Sequence, residues 1–203
     1  MTTIDAKQPS QVDDTWGFDP IRIRSSQTIE EIAAMNRELL IEQQANGEFI
    51  MMAPAGSEGS SRNLEIGYQL LAWTKQHGGK AFDSSAGFHL PDGSTLSPDA
   101  SWIESDRWNA LSKDDRKKFA PICPDFVVEL RSESDRLVTL QEKLQSYVDN
   151  GVRLGWLVDP LMKQVHIYRP SQVPEVITNP ECISGEQILP GFILDLRPVW
   201  EEV

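Results

Sequence analysis

An apolar run in the middle of the chain ends in a charged side chain. Residues 124–131 read PDFVVELR, so apolar residues lead directly to the carboxylate of Glu129. A short apolar run that starts at a proline and is followed by serines is typical of a buried β-strand. Residues 132–134 read SES and break the pattern. The pattern therefore predicts a buried strand that carries Glu129 to its carboxyl end.

The segment after this strand has a helical period. From Asp135 onward the large apolar residues are Leu137, Leu140, Leu144, Tyr147 and Val148. Their spacing predicts an amphipathic helix that packs on the sheet it has just left. Lys143 precedes Leu144, about 100° around the helix axis, so it lies at the margin of the apolar stripe. A lysine there can bury its stem and extend its amine past the helix edge.

The first half of the chain contains a hairpin signal. The pair Asn46-Gly47 lies between the apolar-rich runs 37–43 and 49–53. Such a pair predicts two antiparallel strands joined by a two-residue turn, with Gly47 at positive φ. Residues 37–44 taken alone would also pass for a helix, and that alternative stays open.

The other periodic segments alternate helices with strands. A capping box at Thr28 to Glu31 predicts a short helix, and Gly78 ends a helix predicted from about residue 60. Strands are predicted at 80–82, 86–90, 97–103, 154–159 and 165–169, with a partly helical insert at 104–119 and a last hairpin or covering segment within 173–203. This order predicts an α/β fold, a mixed β-sheet flanked by helices. We expect a single domain over residues 27–203, preceded by an N-terminal arm, residues 1–26, that is extended or partly ordered.

Charge limits the classes of function. The 203 residues include 31 acidic and 19 basic side chains, a net charge of −12. Affinity for a phosphate backbone comes mainly from Lys and Arg, so a general nucleic-acid coat protein is excluded. The densest basic run, residues 113–118, is more typical of a solvated helix face than of a DNA contact.

Neither the cysteines nor the N-terminus indicates secretion. Cys123 and Cys182 are too few for a framework of several disulfides and lie in no zinc-binding pattern. Residues 1–11 are polar and lack the apolar core of a signal peptide. No apolar run approaches the roughly 18 residues that a membrane span needs. We therefore expect a protein of the reducing cytoplasm.

Three charged residues fall on neighbouring predicted elements. Asp99 follows a proline at the start of strand 97–103, Glu129 ends the next one, and Lys143 lies on the following helix. Two carboxylates are hard oxygen ligands that suit Mg²⁺, and Mg²⁺ also binds substrate phosphate. An ammonium stabilises the charge that builds up in the transition state of phosphoryl transfer. The combination predicts a metal-dependent phosphodiesterase.

Several strings occur in a specific order along the chain: IMMAP at 50–54, SPD at 97–99, VVELRS at 127–132 and GWLVDP at 155–160. Together with Lys143, they resemble the Uma-type family of putative restriction endonucleases, within the PD-(D/E)XK nuclease superfamily. The likeness extends from about Thr28 to Leu196. Arg131 stands where the last lysine of the superfamily motif is expected, and Lys143 on the neighbouring helix is placed to take that role.

The resemblance implies a restriction-endonuclease-like fold and DNA as the substrate. It also implies that Asp99 and Glu129 hold a divalent metal ion, which is Mg²⁺ or, as a substitute, Mn²⁺. The catalytic residues that it implies are Asp99, Glu129 and Lys143.

Two more charged residues are candidates near that site, each with a structural alternative. Arg131, two positions after Glu129, points to the same face of the strand and can clamp a phosphate; the alternative is a salt bridge to Glu129. Glu58 is a candidate additional acid, and capping of the long helix is its alternative. Asp159, before a proline, is expected to be a turn residue rather than a nucleophile.

A second hypothesis stands beside the nuclease. The missing ExK lysine and the acidic charge favour a catalytically silent nuclease-fold module that binds nucleic acid or protein. His77, His89 and His166 are scattered along the sequence, so no zinc site or catalytic triad is predicted. Double-strand cleavage needs two sites and would favour a homodimer.

Overall fold

The computed structural model describes residues 21–52 and 55–201, and within them thirteen β-strands and five α-helices. The strands, in chain order, are β1 (Ile21–Ile23), β2 (Leu40–Gln43), β3 (Phe49–Met52), β4 (Lys80–Asp83), β5 (Phe88–His89), β6 (Thr95–Leu96), β7 (Ala100–Ile103), β8 (Phe126–Leu130), β9 (Leu154–Asp159), β10 (Gln164–Tyr168), β11 (Glu175–Thr178), β12 (Cys182–Ser184) and β13 (Ile193–Asp195). The helices are α1 (Ile29–Met35), α2 (Ser57–His77), α3 (Ser105–Ala110), α4 (Leu137–Asp149) and α5 (Arg197–Trp200).

The larger sheet is mixed and has six strands in the order β11-β10-β9-β8-β7-β4. Strands β8 and β9 are parallel, and the other neighbours are antiparallel. Helix α4 forms the crossover that a parallel pair requires. The predicted α/β fold, a mixed sheet flanked by helices, is confirmed.

A five-stranded antiparallel sheet, in the order β1-β3-β2-β6-β5, contains the predicted hairpin. Strands β2 and β3 pair, so the helical alternative for residues 37–44 is wrong. The turn is longer than predicted: the Gln44 amide donates to the Glu48 carbonyl, and the Gly47 amide donates to the Gln44 carbonyl. Three residues therefore form the loop, and Gly47 alone adopts positive φ, at 82°. A glycine meets that requirement without steric cost.

The start of the described chain is tied to this sheet. Strand β1 pairs with β3, so the end of the predicted 1–26 arm is a strand, while residues 1–20 lie outside the described residues. The capping box is confirmed, because the Glu31 amide donates to Thr28 Oγ1 and the Thr28 amide donates to Glu31 Oε2. None of the helices in the described ranges is long and apolar enough to cross a membrane.

Strands β8 and β9 are buried along their full length and have core on both faces. On one face, Phe126 and Trp156 meet edge to face, with ring centroids 4.8 Å apart. On the other, Val127 and Leu144 belong to the cluster beneath α4. Gly155 permits this close packing, because a Cβ there would lie 2.8 Å from Leu144 Cδ1. Since side chains alternate along a strand, Glu129 shares the α4 face with Val127.

Candidate active site

Strand β8 carries Glu129 near its carboxyl end, where the residue is 3% exposed. Its Oε1 lies 2.8 Å from the Lys143 ammonium, and no backbone donor of the described residues reaches that oxygen. Burial raises the pKa of Glu129 to about 8, against the lowering effect of Lys143. A buried carboxylate with an incompletely satisfied oxygen is a strong candidate to bind a cation.

Asp99 reaches the same point from the neighbouring strand. It immediately precedes β7, which runs antiparallel to β8 with Ala100 opposite Val128, so the start of one strand adjoins the end of the other. Asp99 Oδ2 accepts the Leu130 amide at 2.8 Å, and Oδ1 accepts Asn63 Nδ2 at 3.1 Å. Burial raises the pKa of Asp99, and the Leu130 amide opposes that rise. These two bonds fix the orientation of the carboxylate.

Lys143 projects from α4 toward the same place. Its Nζ lies 2.8 Å from Glu129 Oε1, 2.8 Å from Glu42 Oε1 and 3.1 Å from the Ser97 carbonyl oxygen. The side chain is 13% exposed. Burial lowers the pKa of Lys143, but Glu129 and Glu42 together hold it above the ordinary value. The lysine is therefore a charged ammonium fixed among three oxygens.

Glu42 is the site residue that sequence reasoning missed. It lies on β2 of the hairpin, is 2% exposed, and also accepts the Ser97 amide through Oε1 at 2.8 Å. A glutamate is depleted in strands, and in the run LIEQ it follows two apolar residues. That local anomaly was the available signal, but it does not indicate which residue the carboxylate meets.

Helix α2 begins at Ser57, three residues before its predicted start near residue 60, so Glu58 lies in the first turn of the helix. Its Oε1 pairs with Arg62 one turn later, at 3.0 Å, and its side chain is 44% exposed. It lines the same cleft as Asp99 and Glu129. Gly56 is the N-cap residue, so Glu58 does not cap the helix.

Arg131 is engaged by a buried aspartate and by a backbone carbonyl. Its Nη1 lies 2.9 Å from Asp159 Oδ2, and its Nε donates to the Asp135 carbonyl at 3.3 Å. Asp159 also accepts the amides of Leu161 and Met162. The expected turn role of Asp159 is thus present, with a buried ion pair added to it.

A cleft of about 1970 Å³ connects these residues, with walls from both sheets, α2 and α4. Small-molecule sites usually occupy about 300–1,000 Å³, so this cleft is wide enough for a larger ligand. Its charged lining comprises five cationic side chains, Arg22, Arg62, Arg131, Arg136 and Lys143, and eight carboxylates, Glu42, Glu58, Asp83, Asp99, Glu129, Glu133, Asp135 and Glu142. The cleft is therefore acidic, like the chain as a whole.

The donor set fits a hard divalent cation. Two buried oxygens at the site have capacity left for a cation: Glu129 Oε1, whose partner is the Lys143 ammonium, and Asn63 Oδ1, which accepts no hydrogen bond from the described residues. Asn63 is also the residue that orients Asp99. Across residues 21–52 and 55–201, no group of three His, Cys, Asp or Glu side chains forms a cage for a metal ion. Mg²⁺ does not need such a cage, because it retains several waters and binds through one or two carboxylates plus substrate phosphate.

Comparisons with known proteins identify a matching family and a solved structure with a similar fold. A model of the family Uma2, described as "Putative restriction endonuclease", matches residues 27–197. Among solved structures, one titled as a putative nuclease belonging to DUF820, from Anabaena variabilis, superposes with a TM-score of 0.68. It is 21% identical, and the match covers 80% of this chain and 90% of that one. The search of curated proteins gave no match.

Proposed function

The chain belongs to the Uma2 family of putative restriction endonucleases, and from this membership and the geometry of the cleft we propose that it is a divalent-metal-dependent nuclease that hydrolyses phosphodiester bonds in DNA. The observation that carries the proposal is the meeting of Asp99 and Glu129 at adjoining strand ends, with the Lys143 ammonium 2.8 Å from Glu129. Such a group is what metal-assisted phosphoryl transfer requires.

Each residue has a separate task in this proposal. Asp99, oriented by Asn63 and the Leu130 amide, and Glu129 would hold Mg²⁺ or Mn²⁺. The chemistry supplied by a bound cation is polarisation of a phosphoryl oxygen and a lowered pKa for an attacking water. Lys143 stabilises the negative charge that develops on the phosphoryl group.

The acidic lining of the cleft makes DNA binding depend on the cation. With eight carboxylates against five cationic side chains, the metal-free cleft repels phosphate. We expect DNA to bind measurably with Mg²⁺ or Ca²⁺ present and weakly with chelator. A duplex cut on both strands requires two such sites, which a homodimer would supply.

The second candidate function is a catalytically silent module that binds nucleic acid or protein. Two observations favour it: the acidic cleft, and the commitment of Arg131, at the position of the motif lysine, to Asp159. In that case the Asp99–Glu129 group would bind a cation without supporting turnover.

A cleavage assay decides between the two. Single-stranded DNA, duplex DNA and RNA are each incubated with Mg²⁺, Mn²⁺ or chelator, and Glu129→Gln serves as a shape-conserving control. The proposed function predicts metal-dependent cleavage of DNA that Glu129→Gln abolishes. Binding without cleavage would support the silent module, and equal cleavage by Glu129→Gln would contradict the proposed site.

A further inference from the structure

A carboxylate from the five-stranded sheet lies beside the proposed site on the six-stranded sheet. Glu42 on β2 is 2% exposed, and burying a charge is costly unless it is paired and hydrogen-bonded. Its Oε1 has two partners, Lys143 Nζ at 2.8 Å and the Ser97 amide at 2.8 Å. The Ser97 carbonyl oxygen also accepts a hydrogen bond from Lys143 Nζ, so Glu42, Ser97 and Lys143 form a closed set of contacts.

The two carboxylates around Lys143 differ in their surroundings. Glu129 stands near Asp99, whose Oδ2 accepts the amide of the residue after Glu129. Glu129 Oε1 has the Lys143 ammonium at 2.8 Å and no backbone donor among the described residues. Glu42 instead has a backbone donor in addition to the ammonium. Of the two, Glu129 is therefore placed to share a cation with Asp99, and Glu42 is placed to keep the ammonium.

A cation that binds Glu129 competes with Lys143 for that carboxylate. If Glu129 were the sole counter-charge, cation binding would leave a buried ammonium without a carboxylate partner, which is strongly unfavourable. Glu42 removes this conflict, because the ammonium keeps a partner at 2.8 Å whatever Glu129 binds.

We propose that Glu42 is a positioning residue, which holds the Lys143 ammonium at the site while Glu129 binds the cation. The inference rests on the proposed function, since it assumes a cation at Asp99 and Glu129. It also assigns a task to the hairpin: β2 delivers the residue that lets the lysine and the cation occupy one site together.

The test is a cycle of Mn²⁺ affinities, measured by titration calorimetry on the parent, Glu42→Gln, Lys143→Met and the double variant. Glu42→Gln should weaken Mn²⁺ binding about tenfold, the effect of losing one charge-assisted contact. In the Lys143→Met background the same change should have less than about a twofold effect, because no ammonium remains to be held. Glu142→Gln is the matched control: it removes the same charge from an exposed position in the same cleft, and should change the affinity by less than about twofold.

Two results would overturn the proposal. If Glu42→Gln weakens Mn²⁺ binding as much in the Lys143→Met protein as in the parent, Glu42 binds the cation itself or acts through its charge alone. If Glu42→Gln does not weaken Mn²⁺ binding when Lys143 is present, Glu42 serves only to join the two sheets. If circular dichroism shows that Glu42→Gln is unfolded, Glu42→Asp, with its shorter side chain, replaces it. The Mn²⁺ affinities of that variant are then compared with and without Lys143 in the same way.

Kinetics supply a second readout at saturating Mn²⁺. Glu42→Gln should lower kcat about tenfold while KM for an oligonucleotide substrate stays within about twofold, because a displaced ammonium affects the transition state more than substrate binding. A change in KM alone would contradict the positioning role. A parent that binds Mn²⁺ but cuts no nucleic acid would refute the proposed function while the affinity cycle still decides on Glu42. A parent that binds no Mn²⁺ would refute both.

Discussion

Two buried carboxylates at opposite ends of β8 have opposite environments. Asp125, just before the strand, is fully buried, and both of its oxygens are satisfied. The Glu104 amide donates to Oδ2 at 2.9 Å, while Arg107 and Arg153 approach Oδ1 at 2.8 and 3.5 Å. Glu129, at the other end, is nearly as buried, yet its Oε1 has no backbone donor among the described residues, and the Lys143 ammonium 2.8 Å away is shared with Glu42.

The difference teaches that burial of a charge does not by itself indicate function. A fully satisfied carboxylate stabilises the fold, because losing it would strand its donors. An incompletely satisfied one, with its pKa raised to about 8 by burial, has capacity left for a ligand. The number of donors that each carboxylate has to itself separates the structural end of β8 from the candidate functional end.

The largest expected effect is on cleavage. Replacing Asp99, Glu129 or Lys143 by Ala should lower kcat by roughly 10²–10³-fold or more, as loss of a group that stabilises transition-state charge does. Asp125→Asn should change it by less than about tenfold at a temperature where the variant is folded, because it lies at the other end of the strand. Single-turnover cleavage with Mg²⁺ measures all four. Full activity in any two of the three Ala variants would dismiss the site.

The next effect is on stability, and here the substitution of Asp125 should cost more than the substitution of Glu129. Asp125→Ala should lower the free energy of unfolding by about 2–3 kcal/mol, less than for a fully buried pair because its arginines can rehydrate. Their side chains are 38% and 47% exposed. Glu129→Gln should leave the metal-free protein as stable as the parent or more stable. Urea unfolding with chelator provides the comparison, and a larger loss for Glu129→Gln would reverse our assignment of the two ends.

The pH dependence of stability should differ in the same way. Because the pKa of Glu129 rises from 4.5 to about 8 on folding, the metal-free native state holds a proton that the unfolded chain has released in that window. Stability therefore falls as pH rises from about 4.5 to 8. Melting temperatures of the parent across this range should decline more steeply than those of Glu129→Gln; parallel curves would show that the carboxyl is ionised throughout.

A smaller effect concerns the stabilisation of the native state by a bound cation. Mg²⁺ at ten times its Kd should stabilise the parent by about 1.4 kcal/mol through binding to the native state. Asp99→Asn should lose most of that gain, yet match or exceed the parent without metal, because the cost of burying the Asp99 charge is gone. Asn63 can turn its amide to accept from the new NH₂ group. Thermal melts with chelator and with Mg²⁺ test this, and a destabilised metal-free variant beside a parent that ignores Mg²⁺ would contradict it.

The smallest effect tests whether the hairpin supports only one end of β8. Gly47→Val places a branched residue at φ 82° and should cost about 1 kcal/mol. Because β2 carries Glu42, hydrogen exchange should increase around the hairpin and Lys143 before it increases around Asp125. Unchanged exchange and an unchanged melting curve would show that the turn tolerates the substitution.

Much of the fold followed from local patterns. The capping box at Thr28, the hairpin and the strand-helix-strand unit around Glu129 each rest on residues close in sequence, where spacing constrains structure directly. The prediction of a two-residue hairpin turn was wrong, because the pair Asn46-Gly47 also fits a three-residue loop in which only the glycine needs positive φ.

The residues Asp99, Glu129 and Lys143 were identified from the sequence because each has a fixed place on a predicted element, at a strand start, at a strand end and on the following helix. Strand adjacency then brings them together. Their role in catalysis stays a proposal. Glu42 could not be found this way, since nothing local shows which element its strand faces.

The sequence by itself determined the periods, the caps, the order of strands and helices, and the positions of the charges along them. Only the tertiary structure decided which charges meet: Lys143 with Glu42 across two sheets, and Arg131 with Asp159. The reason is physical. Hydrophobic periodicity acts between near neighbours in the chain, whereas an ion pair depends on how separate elements dock and on how much water remains between them.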